Sequence, residues 1–236
     1  MANPLAIDSI EWHTFHPRFL NSESIILDLG ANHGRFSRQM ADRFGCKCYA
    51  VEPSPEVFSN LVETDLIQKF QVAISRDTGP LEFYVDSSDL GSSLLKRPNS
   101  RKVNGVTVRG IRLEEFVREL GLREVSLIKM DIEGAEIEVL DSCTDEFLRS
   151  VPQLSIEFHD FCGIVSADEV QRVVRRLERL GFFYARMSRV GNQDTVFINK
   201  RLCDISMLEC LYIRYISRNW KGFWRVVGRS LGRAQA

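Results

Sequence analysis

The chain lacks several features that would assign it to a specialised class of protein. No apolar run approaches the roughly 20 residues that a membrane-spanning helix needs, so we predict no such helix. The N-terminus has no basic region followed by an apolar core, which argues against a signal peptide. The six cysteines include no C-x-x-C pair, which favours reduced thiols packed as small hydrophobic groups in a cytoplasmic protein.

Composition and charge describe an ordinary globular chain, except at its C-terminal end. With 236 residues, 44% hydrophobic and 27% charged, the chain fits one large domain. Its net charge is −1, but residues 211–236 carry six Arg or Lys and no acidic residue. The remaining 25 basic and 32 acidic residues give the body a net charge of −7, which argues against nucleic acid as a partner.

Apolar runs of strand length alternate with helical patterns from residue 25 onward. This alternation predicts an α/β fold with a doubly wound, mostly parallel sheet and helices on both faces. The last two runs, 182–188 and 195–200, predict a C-terminal antiparallel hairpin. Other predicted strands are 24–30, 46–53, 69–75, 79–86, 106–113, 125–131 and 153–160, with helices at 34–44, 55–63, 134–142 and 167–180.

The first two strands end in residues that suit a ligand containing a nucleoside. The loop "DLGANHG" places Asp28, Gly30 and Gly34 at a strand end, where doubly wound sheets bind ligands. Asn32 stands where a dinucleotide fingerprint has its middle glycine, which disfavours a nicotinamide cofactor. Glu52 follows 24 residues after Asp28, a spacing that suits binding of ribose hydroxyls, although both carboxylates could instead only cap turns.

The stretch "LIKMDIEGAEIEVL" (127–140) begins like a buried strand and ends like an amphipathic helix. Lys129, Asp131 and Glu133 alternate within it, and burying charges is costly unless they are paired or used. Gly134 then allows a tight turn into the helix. Structural alternatives remain open: a Lys129–Asp131 ion pair that shapes the loop, an N-cap at Asp131, and a helix-dipole contact from Glu133.

Four ordered segments, "IILDLGANHGRFS", "VEPSPEVFSNL", "LIKMDIEGAEIEVL" and "LSIEFHD", resemble the motifs of the FkbM family of methyltransferases. The resemblance implies a Rossmann-like class I methyltransferase domain over 25–200, with a seven-stranded sheet and S-adenosylmethionine as its cofactor. It further implies an acceptor hydroxyl on a sugar, glycan or small metabolite. It does not cover a lead segment at 1–24 or a basic tail at 201–236.

The resemblance also implies roles for individual residues of this sequence. Glu52 would hold the ribose hydroxyls, and Ala73 would face adenine, where a small side chain leaves room. Asp131 would lie beside the transferring methyl group. The glycines and Asp28 would shape the methionine and ribose pocket. The predicted cofactor-binding residues are Asp28, Gly30, Asn32, Gly34, Glu52 and Ala73.

Methyl transfer to a hydroxyl requires alignment of donor and acceptor and removal of a proton. His159 is a candidate base because free imidazole titrates near neutrality, and Asp131 and Glu133 are alternatives. Lys129 would orient Asp131 or the acceptor. Asp131, Glu133 and His159 could together hold Mg²⁺, but the sequence shows no convincing metal cluster, so we predict no metal. The predicted catalytic residues are Asp131, Lys129, Glu133 and His159.

The regions outside the resemblance carry predictions of their own. His13 and His16 make the lead segment a candidate cover for the site. Within 211–233, basic residues recur at spacings of four, three, four and four, opposite apolar and aromatic side chains. Such a helix favours peripheral contact with a membrane surface, or instead docking of its apolar face on the acidic body.

Two other functions stay open at the level of the sequence. One is a module that binds the cofactor without catalysis, which the candidate bases argue against. The other is a nicotinamide-dependent oxidoreductase, which Asn32 argues against.

Overall fold

The computed structural model describes residues 7–86 and 103–217. Most of the polar segment 87–105 and the tail after residue 217 lie outside these residues. No helix within the described ranges is long and apolar enough to cross a membrane. The strands are β1 (Asp8–Ile10), β2 (His13–Phe15), β3 (Ile25–Leu29), β4 (Lys47–Val51), β5 (Ile67–Phe70), β6 (Ala73–Ile74), β7 (Gly79–Asp86), β8 (Val103–Ile111), β9 (Leu127–Met130), β10 (Gln153–Ile156), β11 (Phe182–Arg186) and β12 (Thr195–Asn199). The helices are α1 (Arg35–Phe44), α2 (Pro55–Asn60), α3 (Leu113–Glu119), α4 (Glu136–Ser142), α5 (Asp145–Ser150), α6 (Ala167–Leu180) and α7 (Met207–Leu211), with a 3₁₀-helix at Pro17–Phe19 and a π-helix at Tyr212–Ser217.

The central sheet has seven strands in the order β11-β12-β10-β9-β3-β4-β5. The neighbours from β10 to β5 all run parallel, whereas β12 is antiparallel to both β10 and β11. This mostly parallel sheet confirms the predicted fold class. The chain leaves β3 toward β4 and β5, then returns to β9 on the other side of β3. The order therefore reverses between β3 and β9, where such sheets bind ligands at the strand ends.

The helices cover both faces of the sheet because successive strand residues point to opposite sides. Leu27 and Met130 face a core that they share with α3, α4, α5 and α6. Ile26 and Leu127 face a second core, which α1 and the lead segment fill with Phe36, Met40, Ile10 and Phe15. The strands are therefore apolar on both sides, as their unbroken apolar runs predict.

The prediction of one strand over 69–75 is wrong. The chain leaves the central sheet after Phe70, which stacks on Tyr49 with ring centroids 6.0 Å apart. Ala73 and Ile74 then pair with Gly110 and Ile111 of β8, in a separate sheet of order β6-β8-β7. An apolar run shows only that a segment is buried, so it could not reveal that two sheets divide these residues.

Residues with known capping preferences set one end of α1 and one end of α6. After α1, Gly45 adopts φ 66° and its N–H donates to the Ala41 carbonyl at 2.9 Å. Ser166 and Glu169 form a capping box at the start of α6. Glycine relieves the strain of the left-handed conformation, and the box satisfies backbone N–H groups that the helix leaves unpaired.

The lead segment packs against the central sheet. β2 is buried along its whole length, and the Thr14 hydroxyl donates to the Asp194 carboxylate at 2.7 Å. The His16 N–H donates to the Gln153 side chain at 2.8 Å. These bonds hold His13 at the carboxyl end of β9, with Nε2 3.7 Å from the Asp131 carboxylate.

Candidate functional site

A pocket opens at the carboxyl ends of β3, β4 and β9, beside the reversal in strand order. Among the described residues, its charged lining groups are Glu52, Asp131 and Glu133, without any lysine or arginine. Such a lining suits a cation better than a phosphate. The lining residues are Gly30, Asn32, Val51, Glu52, Pro53, Ser54, Val57, Val72, Ala73, Ile74, Phe83, Asp131, Ile132 and Glu133.

The loop after β3 approaches the end of β9 very closely. A Cβ atom on Gly30 would lie 1.8 Å from the Asp131 carbonyl oxygen, and Gly30 has φ 76°. Its N–H and that of Ala31 both donate to the Val51 carbonyl, at 3.0 and 2.9 Å. Asn32 also has a positive φ of 47°, which asparagine tolerates better than most residues. The loop therefore depends on these residue types for its shape.

Glu52 fixes the other side of this loop. Its two carboxylate oxygens accept from the Asn32 N–H at 3.0 Å and the Ser54 N–H at 2.9 Å. Burial raises the pKa of Glu52, and these backbone hydrogen bonds oppose that effect. Each oxygen keeps an acceptor site after these bonds, so the carboxylate can cap the turn and still bind two ribose hydroxyls.

Asp28 and Gly34 lie outside the pocket lining, unlike the other predicted cofactor-binding residues. The Asp28 carboxylate is fully buried and accepts from the Ser37 hydroxyl at 2.6 Å. Gly34, with φ 69°, precedes α1, and a Cβ there would lie 2.9 Å from Leu61. In this geometry both residues shape the loop from beneath.

Lys129 bonds chiefly to the loop after β3. Its Nζ lies 3.2 Å from the Asp28 carboxylate and 2.6 Å from the Gly30 carbonyl, but 3.9 Å from the Asp131 carboxylate. Burial lowers the pKa of Lys129, but the charges of Asp28 and Asp131 outweigh it and raise the pKa above its usual value. Lys129 thus forms two ion pairs. The pair with Asp131, which the sequence led us to expect, is longer than the pair with Asp28.

Asp131 stands among cationic and imidazole groups. Besides Lys129, His13 Nε2 lies 3.7 Å away and His159 Nε2 lies 3.8 Å away. Burial raises the pKa of Asp131, but Lys129, His13 and His159 outweigh it and hold the pKa well below its usual range. Asp131 is therefore ionised and only weakly basic. It does not cap a helix, because the residue preceding α4 is Ala135.

His159 is held between two carboxylates. Its Nε2 lies 3.3 Å from Glu133, and its Nδ1 lies 3.1 Å from Glu136, which is fully buried. Burial lowers the pKa of His159, but the bonds to Glu133 and Glu136 raise it to about 11. This geometry favours an imidazolium cation over the neutral imidazole expected from the sequence.

Three residues that were not among the predicted catalytic or cofactor-binding residues lie close to Asp131 or His159. Glu136 holds His159 and also accepts from the Ile132 and Gly134 N–H groups at 3.0 and 3.1 Å. Glu157 directly follows β10, and its carboxylate lies within 4.8 Å of ligand atoms of both Asp131 and His13. The signal for Glu157 was its place two residues before His159, since alternate residues share a face. The sequence placed His13 in a segment that could cover the site, but only the fold shows that it lies beside Asp131.

A family model described as the methyltransferase FkbM domain matches residues 28–184, about two thirds of the chain. The chain belongs to this family. The FkbM domain is an S-adenosylmethionine-dependent methyltransferase domain, so the predicted family and cofactor are confirmed. The match begins at Asp28, after the lead segment that carries His13.

Known proteins extend this finding. The chain is 28% identical over 137 residues to the 2-O-methyltransferase NoeI of Sinorhizobium fredii, covering 50% of this chain and 56% of NoeI. The 31-O-demethyl-FK506 methyltransferase FkbM of Streptomyces tacrolimicus is 23% identical over 223 residues, covering 79% and 81%. The match thus spans just over half the length of NoeI.

The crystal structure of an FkbM methyltransferase from Methylobacillus flagellatus has the same fold. It superposes with a TM-score of 0.52 at 12% identity, covering 76% of this chain and 44% of that one. This likeness concerns the fold alone. The pocket itself fits S-adenosylmethionine by its chemistry, because carboxylates suit a sulfonium cation and the cofactor has no phosphate.

Among the residues that the structure describes, two groups of side chains have ligand atoms within 4.8 Å of one another and could surround a cation. One is the trio considered from the sequence, Asp131, Glu133 and His159; the other shares Asp131 with His13 and Glu157. In the first group the His159 imidazolium already balances the carboxylates. In both, the Lys129 ammonium lies 3.9 Å from Asp131 and would repel a metal ion. The absence of a metal stays a prediction.

Proposed function

We propose that this protein transfers a methyl group from S-adenosylmethionine to a hydroxyl on a sugar, glycan or small metabolite. The observation that carries the proposal is a pocket at the ligand-binding edge of an FkbM domain, whose described lining has three carboxylates and no lysine or arginine. NoeI and FkbM, by their names, are O-methyltransferases, which supports a hydroxyl acceptor. The acidic body supports an acceptor other than nucleic acid.

Different residues of the chain would bind different parts of the cofactor. Glu52 is positioned to hold the ribose hydroxyls, and Ala73, 2% exposed, leaves room for adenine beside Phe83. Asp131 places a negative charge at the pocket edge, because its neighbours hold its pKa well below the usual range, and this charge favours the sulfonium. Lys129 holds the loop through Gly30. When bound, the cofactor supplies an electrophilic methyl group with a very good leaving group.

A thermal-shift panel tests the cofactor. S-adenosylmethionine or its demethylated product, at a hundred times its Kd, should stabilise the protein by about 2.7 kcal/mol, whereas NAD should not change its Tm. Stabilisation by NAD alone would favour the oxidoreductase alternative. If neither S-adenosylmethionine nor its demethylated product stabilises the protein, the proposed function is overturned.

A second experiment separates an enzyme from a module that only binds. Metabolites and surface glycans from cells with and without the gene would be compared by mass spectrometry. We expect one class of hydroxyl compound to differ by a single methyl group. Identical profiles, together with tight cofactor binding, would favour the non-catalytic module.

We further propose that this protein is cytoplasmic and contacts a membrane surface through residues 211–233. All six cysteines are free, which fits a reducing compartment. Ile213 is buried and anchors the π-helix, while Leu208 and Tyr215 are 77% and 61% exposed. Exposed apolar side chains next to a segment with six basic residues are typical of peripheral binding to anionic lipid. Docking of the tail on the body remains the alternative.

A further inference from the structure

Among the residues that the structure describes, Glu157 is the carboxylate of the site without a hydrogen-bond or ion-pair partner. It follows β10, its N–H donates to the Met130 carbonyl at 2.9 Å, and its side chain is half-buried. Within the part of the chain that the structure describes, its carboxylate neither accepts a hydrogen bond nor forms an ion pair. Burying an unpaired carboxylate is costly, so a use for it is expected at a functional site.

We propose that Glu157 is the base that accepts the proton of the acceptor hydroxyl. The hydroxyl oxygen forms a bond to the methyl carbon while the carbon–sulfur bond breaks, and sulfur leaves as a neutral thioether. The hydroxyl proton passes to a carboxylate oxygen of Glu157 and then to solvent. This inference rests on the proposed methyl transfer.

The position of Glu157 fits a group that meets the acceptor. Asp131 lines the cofactor pocket, whereas Glu157 lies just outside the lining and within 4.8 Å of the Asp131 carboxylate. A base inside the pocket would meet the cofactor, but a base beyond Asp131 meets whatever approaches the methyl group from outside. His13, from the lead segment, lies within 4.8 Å of both carboxylates and packs edge-on against Phe36, with ring centroids 5.8 Å apart.

The other candidate bases are already engaged. Asp131 is surrounded by Lys129, His13 and His159. Glu133 pairs with His159, whose second ring nitrogen is held by Glu136. Taking up a proton at any of these groups would break an existing charge pair, whereas protonating Glu157 relieves repulsion from Asp131 and Glu133.

The charges that face Glu157 suit a base that works near neutral pH. Burial, with repulsion from Asp131 and Glu133, raises the pKa of Glu157 to about 8, while His159 and Lys129 oppose the rise. His13 is the remaining titratable neighbour from the lead segment. A base is most effective when its pKa lies near the working pH.

The test titrates the full-length protein without any acceptor. Glutamate carboxyls would be labelled with ¹³C and followed by NMR against pH, and the resonance of Glu157 would be assigned by its loss in Glu157→Gln. Glu138→Gln, which changes an exposed carboxylate on α4, is the matched control and should retain the resonance. The midpoint should lie near pH 8 in the free protein.

The decisive comparison is between two ligands that differ in charge. Bound S-adenosylmethionine carries a sulfonium cation, and S-adenosylhomocysteine does not. If Glu157 faces the reacting centre, its midpoint should be lower by about one pH unit with the cationic ligand. Equal midpoints with both ligands bound would overturn the inference. Failure of both to bind would instead overturn the proposed function.

A second variant keeps the inference testable if Glu157→Gln fails to fold. Glu157→Asp keeps the charge, and aspartate labelling then follows the carboxyl at position 157. The same difference between the two ligands is expected, with an upward shift of the midpoint in the free protein. An aspartate that titrates at its ordinary value and responds to neither ligand would also overturn the inference.

Discussion

The loop between β3 and α1 and the ends of β9 and β10 meet at one pocket, but different interactions hold them. The loop is fixed mainly by backbone groups: Gly30 donates to the Val51 carbonyl, and Glu52 accepts from two backbone N–H groups. The ends of β9 and β10 are fixed by side-chain charges, among which His159 lies between Glu133 and Glu136.

The difference indicates what each region can tolerate. A backbone-held loop requires particular conformations, so it depends on glycine where no side chain fits. A charge-held cluster depends on balance, so removing one partner leaves another charge buried and unpaired. The loop suits a cofactor that always binds in the same position. The charged groups at the ends of β9 and β10 can instead gain or lose protons during a reaction.

The largest expected effect comes where the two regions touch. Gly30→Ala would place a Cβ 1.8 Å from the Asp131 carbonyl oxygen, so the loop or β9 must move. We expect a loss of about 4 kcal/mol or more in the free energy of unfolding, with loss of cofactor binding. Gly121→Ala is the matched control, because Gly121 also has a positive φ of 64° but nothing within 4 Å. Its cost should be about 1–2 kcal/mol. Urea denaturation measures both, and equal losses would contradict the close-approach explanation.

Lys129→Met removes the cation that the two regions share. It leaves the fully buried Asp28 carboxylate without its ion-pair partner, so we expect about 3–5 kcal/mol of destabilisation. The double variant Asp28→Asn/Lys129→Met should recover part of this loss. Additive losses in chemical denaturation would show that Lys129 acts independently of Asp28.

Glu52→Ala separates cofactor binding from folding. Because Glu52 accepts from two backbone N–H groups and is placed to bind ribose hydroxyls, we expect weaker S-adenosylmethionine binding by about 1.5–3 kcal/mol. Calorimetric titration of the folded variant is the measurement, with circular dichroism as the control for folding. Unchanged affinity would restrict Glu52 to its role in the turn.

His159→Gln tests the charge-held region through pH. The pKa of His159 is raised from 6.5 to about 11, so its contribution to stability is complete below pH 6.5 and is lost as pH rises toward 11. The wild-type free energy of unfolding should therefore fall between pH 7 and pH 9, by on the order of 2–3 kcal/mol, and the variant should show a shallower slope. Parallel slopes would mean that the imidazole is neutral, as the sequence alone suggested.

The smallest expected effect lies outside both regions, in the tail. Full-length protein should co-sediment with anionic liposomes at low salt, less at high salt, and not with neutral liposomes. A chain ending at residue 217 is the control, because it keeps the anchoring Ile213 and loses five of the six basic residues. Full-length protein that stays in the supernatant with anionic liposomes would favour docking of the tail on the body.

Local sequence predicted the loop better than the charge cluster. Gly30, Asn32 and Glu52 were placed at the pocket from their spacing after the strands, because the ends of parallel strands meet at one edge. Asp28 was placed in the pocket but lies beneath it, since alternation along a strand does not show which face meets a ligand. Glu136 was not among the predicted site residues, although it is fully buried against His159.

The sequence by itself determined the alternation of strands and helices, the family, the cofactor and the strand ends that carry the site. These depend on short-range patterns of apolar residues, glycines and charges. Tertiary structure alone decided which charges meet. His13, Asp131 and Glu157 come from three separate parts of the chain, and only the sheet order brings their side chains within 4.8 Å. Their proton content follows from that proximity and from burial, which no local pattern encodes.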